Sequence, residues 1–228
     1  MSHPQFEKLL AWASQDREQI IAAKTEYFAS TGEIFEDDGC YESRMQSFFN
    51  WYLLDRAQGT PPQTPAQRFL LEKGPELAAA DKTTFLGFTA SKHSLYEIRR
   101  VGVGLIKVRE DLVKVRDTVT GEDYVVTERR RLPGIEKGDL LEARLLPVGD
   151  QLQFSSAFTY HPRLVRALVL KEIKKRKKTG TLEARSLCWE LERMALNLER
   201  FRNIPVEKIY SFETPFLGEK HRREGANG

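Results

Sequence analysis

Cysteine and histidine are scarce in this chain. Its 228 residues hold two cysteines, Cys40 and Cys188, and four histidines, at positions 3, 93, 161 and 221. Two distant cysteines make no disulfide framework and read as free thiols in a reducing compartment. The histidines are scattered, so the short ligand spacings of a structural zinc site are missing. No run approaches the ~18 apolar residues of a membrane span. The N-terminus lacks the basic-then-apolar layout of a secretory signal. These absences predict a cytoplasmic protein without a membrane span.

Catalytic signatures are equally sparse. Gly102 and Gly104 lack the third glycine and helix start of a dinucleotide fingerprint, and there is no phosphate loop or nucleophile elbow. Glu36, Asp37 and Asp38 lack calcium-loop spacing. No acid–base or nucleophile constellation stands out, so the sequence predicts no enzyme, no cofactor and no metal site.

Charge is present and polarised. The formal net charge is +3, but residues 1–90 carry −5, residues 91–160 carry +1 and residues 161–228 carry +7. Two clusters draw attention as an electrostatic footprint for phosphate backbones or acidic proteins. One is Arg129, Arg130 and Arg131. The other is Lys171, Lys174, Lys175, Arg176, Lys177 and Lys178, opposed by Glu172 alone. The competing reading is a solvated helix end whose cations oppose the negative pole of the helix dipole. Tyr124, Phe154, Phe158 and Tyr160 would stack bases if exposed.

The hydrophobic period changes twice along the chain. Residues 1–91 read as helices. Phe6, Leu9, Leu10 and Ala13, then Ile20, Ile21, Tyr27 and Phe28, keep three- and four-residue spacing, as one long helix or two short ones to about Gly32. Residues 2–8 match a streptavidin affinity tag lacking its leading tryptophan, yet the helical pattern runs through them. An amphipathic helix over 42–56 carries an aromatic stripe. Thr64-Pro65 reads as a cap followed by proline at the first helical position. A helical stretch over 75–80 and a short helix capped by Asp81 follow.

Six short strands are predicted within 92–160: residues 94–100, 104–109, 112–119, 123–128, 140–146 and 151–158. Pro162 opens a C-terminal helical region over 161–217, and residues 218–228 read as a flexible tail. The expected fold is α+β: N-terminal helices, a central small antiparallel β-barrel or roll, and C-terminal helices. Phe48, Phe49, Tyr52, Leu95, Ile98, Leu141, Leu145, Leu191 and Met194 are the expected core.

Several segments together carry a family resemblance. They are Phe49-Asn50-Trp51-Tyr52-Leu53-Leu54-Asp55-Arg56, Thr64-Pro65 with Phe69-Leu70, Ser94-Leu95-Tyr96-Glu97-Ile98, Arg116-Asp117 with Thr120-Gly121-Glu122, and the run from Lys137 to Gly149. Over roughly residues 36–160 the chain resembles an uncharacterised bacterial cytoplasmic family. Some members carry a SEC-C-type zinc motif rich in cysteine. That motif is absent here, so the resemblance implies no zinc and transfers no activity.

The functional expectation is a non-catalytic binding module that contacts nucleic acid or a nucleoprotein complex through the basic C-terminal helix. The alternative is a protein-interaction adaptor that docks an acidic protein partner without touching nucleic acid.

Overall fold

A computed structural model describes residues 4–102, 111–128, 130, 132, 134–214 and 216. Five helices precede the sheet: α1 (Pro4–Ala13), α2 (Arg17–Thr31), α3 (Tyr41–Leu54), α4 (Pro65–Lys73) and α5 (Ala79–Thr89). Then come β1 (Lys92–Val101), β2 (Leu112–Asp117), β3 (Asp123–Thr127), β4 (Leu140–Val148) and β5 (Gln151–His161). The helices α6 (Arg166–Thr179), α7 (Ala184–Arg200) and α8 (Val206–Ile209) complete the described fold.

Local chemistry explains most boundaries. Asp16 separates α1 from α2 by accepting a bond from the Gln19 amide at 3.1 Å, an N-cap that satisfies one orphan donor. Thr64 and Gln67 form a reciprocal capping box with Pro65 at the first helical position. Gly180 adopts φ 69° and donates its amide to the carbonyls of Arg176 and Lys177, a left-handed C-cap that glycine adopts without strain. The expected cap at Asp81 is corrected: α5 starts earlier, and Asp81 lies in its first turn, where a carboxylate favours the helix dipole. The expected helix over 75–80 is only a 3-10 turn, Gly74–Glu76.

The hydrogen-bonded strand order is β1-β2-β3-β5-β4, with β4 pairing in turn with β1. The expected six-stranded, wholly antiparallel barrel or roll is corrected. Among the described residues there are five strands, and the expected strand over 104–109 lies outside them. The sheet is also mixed: β3 meets β5 in parallel through a single bridge, Val126 with Leu152. The cause is that β4 pairs with β1 and not with β3, so that β5, antiparallel to β4, reaches β3 running in the same direction.

Helices lie on both sides of the sheet, with α3 and α5 against β5 and β4, and α7 against β1 and β5. One face of the strands packs on itself through Tyr96, Ile98, Val115, Leu141 and Leu145. Leu95 and Leu140, of opposite parity, pack with Leu187, Leu191 and Val169 of α6 and α7. Consequently every residue of β4 from Leu140 to Leu146 is buried. Of the expected core, only Phe49 departs, because it is half-buried at the margin of the N-terminal helical cluster. Among the described residues, no helix is long and apolar enough to cross a membrane.

Candidate functional site

Helix α6 carries the basic cluster. Val169 and Ile173 are buried and orient it, which turns Lys171, Lys174 and Lys178 outward at three- and four-residue spacing. At 1.5 Å rise per residue they form one stripe about 10 Å long. Lys175 and Lys177, also exposed, flank it on either side. Lys175 reaches Glu172 at 3.6 Å. Lys171, Lys174, Lys177 and Lys178 have no ion pair among the described residues.

The arginines of the expected clusters behave differently. Arg176 is held by Glu172 at 2.8 Å and Glu190 at 2.7 Å, with its guanidinium 5.3 Å from the Phe212 ring. It is a structural tie between α6 and α7. Arg130 pairs with Glu128 at 2.7 Å, donates to the carbonyls of Ser155 and Ser156, and lies over Phe158. Its contacts are thus with Glu128 and β5. Arg129 and Arg131 lie outside the described residues.

The aromatics expected to stack bases are largely occupied. Phe154 is buried, and Phe158 packs edge-on against Tyr160 beneath Arg130. The Tyr124 hydroxyl is engaged by Glu122 and Lys92. Of the four, only Tyr160 is exposed.

A second constellation, absent from the sequence reading, sits between the sheet and α7. Glu142 on β4 is flanked on its own face by His93 on β1 and His161 on β5. The pairings Leu95 with Glu142 and Leu140 with His161 set these diagonal positions. His93 Nε2 stands 3.1 Å from Glu142 Oε1, and His161 Nε2 stands 3.9 Å from Oε2. Neither approach has hydrogen-bond geometry, so both Glu142 oxygens and His161 Nε2 lack a partner among the described residues. An unpaired buried polar group costs about 1–3 kcal/mol.

Helix α7 supplies Cys188 and Glu192, which are 0% and 1% exposed. Glu192 binds Arg44 at 2.8 Å and accepts the Tyr27 hydroxyl at 2.7 Å. Arg144, beside Glu142 in sequence, binds Asp55 and Ser91. Burial, reinforced by the like charge of Glu192, raises the Glu142 carboxyl well above its ordinary range. Burial lowers both imidazoles to about 4, with Arg144 adding to the effect at His93. Burial likewise raises the Cys188 thiol. The imidazoles and the thiol are therefore neutral near pH 7, and burial favours the protonated form of Glu142, while Arg44–Glu192 and Arg144–Asp55 are opposite-charge pairs. A cavity of about 10 Å³ adjoins Glu142 and His93, bounded by Tyr27, Trp51 and Trp189, and holds at most one water.

One sequence signal could have pointed here. Glu192 falls four residues after Cys188 and four before Leu196, so it shares a face of α7 with two apolar residues, all three buried. A carboxylate in such a row demands a buried partner.

No curated protein and no solved structure matches this chain. A family model does match, over residues 11–188. That range contains the sheet, the lysine stripe and all four members of the His93–Glu142–His161–Cys188 group, and the chain belongs to the family of unknown function DUF7986.

Proposed function

We propose that this protein is a non-catalytic binding module that holds a nucleic-acid backbone on the lysine face of α6. The observation carrying this reading is the stripe of Lys171, Lys174 and Lys178, which are exposed and have no ion pair among the described residues. Cations one helical turn apart suit a polymer with regularly spaced phosphates, and such contact is independent of base sequence. A small five-stranded sheet is also a recurrent nucleic-acid platform, a support by fold analogy alone. The β2–β3 face itself contributes less charge, because Lys114 and Arg116 are both bound to Asp123. The two free cysteines fit a reducing, cytoplasmic setting.

Charge complementarity between the two halves, which motivates the adaptor reading, is partly spent inside the molecule. Arg200 binds Asp38 at 2.5 Å, and Arg193 donates to the carbonyls of Ala29 and Ser30. The test is fluorescence anisotropy with labelled oligo-dT and oligo-U at low salt. Saturable binding to both, weakened at least tenfold by Lys171→Gln/Lys174→Gln/Lys178→Gln, supports the reading. Absence of binding, or affinity unchanged by the triple substitution, overturns it. A protein partner recovered from nuclease-treated extract would then favour the adaptor.

A further inference from the structure

We propose that His93, Glu142 and Cys188 form an interior site for one divalent metal ion of the zinc class. A ring nitrogen of His93, a Glu142 oxygen and Cys188 Sγ all lie within 4.8 Å of one another. His161 Nε2 stands 3.9 Å from the same carboxylate. The three ligands come from two strands and a helix, so the fold, not a local sequence motif, brings them together.

The second observation is independent of this clustering. His161 and Glu142 have side chains 0% and 2% exposed, yet Nε2 of the one and both oxygens of the other have no hydrogen-bond partner among the described residues. His161 is nevertheless fixed in orientation, because its Nδ1 is 3.0 Å from the Tyr210 hydroxyl. In either tautomer Nε2 faces Glu142 without a partner among the described residues, and a cation on the carboxylate would satisfy the two Glu142 oxygens.

Charge and donor type narrow the ligand. Every other charged group facing Glu142 is already balanced: Glu192 by Arg44, and Arg144 by Asp55. Glu142 and Cys188, as carboxylate and thiolate, supply two negative charges and the imidazoles none. A divalent cation leaves the buried site neutral. One nitrogen, one sulfur and one oxygen suit zinc and its borderline neighbours over magnesium or calcium, which take oxygen ligands. The adjoining 10 Å³ cavity admits no organic substrate, so the ion ties α7 to β1 and β4.

The test uses the full chain, unfolded with chelator and refolded with or without one equivalent of Zn²⁺ or Co²⁺. The expected result is one bound metal per chain, a raised unfolding midpoint, and a thiolate-to-cobalt charge-transfer band. Cys188→Ser should abolish that band. Glu142→Gln should fold without metal at least as stably as the parent, yet gain nothing from adding it. Failure of the refolded parent to take up stoichiometric metal overturns the site, as does a cobalt band that survives Cys188→Ser or metal stabilisation that survives Glu142→Gln.

Discussion

Arg44 on α3 and Glu192 on α7 meet at 2.8 Å with side chains only 4% and 1% exposed. The pair joins the N-terminal helices to the C-terminal ones through the interior. Arg44 also donates to the Thr31 carbonyl at 2.7 Å, and Glu192 also accepts the Tyr27 hydroxyl. Removing one partner strands a buried charge. Arg44→Met should therefore destabilise the protein by about 3–5 kcal/mol. Adding Glu192→Gln should restore part of that loss, because no charge then remains unpaired. Urea denaturation of the two variants checks both statements.

Phe48 and Phe49 separate a core position from its margin. Phe48 is 1% exposed and packs against Phe28 and Tyr52, whereas Phe49 is half-buried. Phe48→Ala should cost about 3–5 kcal/mol, and Phe49→Ala clearly less. Equal losses in the same denaturation series would contradict this division.

Gly87 shows a tighter constraint. A Cβ at this position of α5 would overlap the carbonyl oxygen of Pro147 on β4. The obstacle is backbone, so helix and strand must part to admit a methyl group. Gly87→Ala should lose about 1–3 kcal/mol, although alanine is the better helix former by about 1 kcal/mol. Thermal unfolding of the single variant decides which effect wins.

Periodicity made the helices and most strands legible. It places Leu141, Ala143 and Leu145 on one side of β4, and Thr64-Pro65 marks the start of α4. It fails on the other side of β4. Glu142 and Arg144 alternate with these residues and read as solvent-facing, but both are 2% exposed. Alternation reports which residues share a face, not whether a helix later in the chain covers it. The same limit hid His93 and His161, which are 68 positions apart in sequence and meet around Glu142 through strand register alone. Exposed lysines needed no such information, so the α6 stripe was visible in the sequence. Which of its neighbours were spent on ion pairs, Arg176 above all, was not.

Acid should weaken the attachment of the 162–166 segment to the sheet. Arg163 binds Asp139 at 2.6 Å and holds its carboxyl below the ordinary 3.8. Burial pushes Glu97 up, but Arg166 and Arg99 outweigh it and hold its carboxyl below 4.5. For a carboxyl depressed by folding, the stabilisation is complete above its unfolded pKa and is lost as pH falls through the folded value. Both contributions should thus be intact above about pH 5 and be lost progressively as pH falls below about 4. Because the arginines are 53% and 40% exposed, solvent screening keeps each contribution modest. The double variant Glu97→Gln/Asp139→Asn should have a shallower acid limb in a plot of urea midpoint against pH. An acid limb identical to that of the parent would rule this attribution out.

Salt dependence gives the lysine stripe its quantitative signature. Each phosphate neutralised on a single strand contributes about −0.7 to the slope of log affinity against log salt. If Lys171, Lys174 and Lys178 each hold one phosphate, their joint replacement by glutamine should flatten the slope by about 2. Replacing Arg176 should act differently. It is already bound to Glu172 and Glu190, so Arg176→Gln should lower stability and leave the slope nearly unchanged. Helicity should survive the triple substitution, because glutamine ranks close to lysine in helix propensity. Its cost to folding should stay within about 1 kcal/mol, the typical scale of a cation at the negative pole of the helix dipole, since only Lys178 lies in the last turn. A flattened slope with intact circular dichroism assigns the stripe to binding. An unchanged slope with lowered stability assigns it to the helix end.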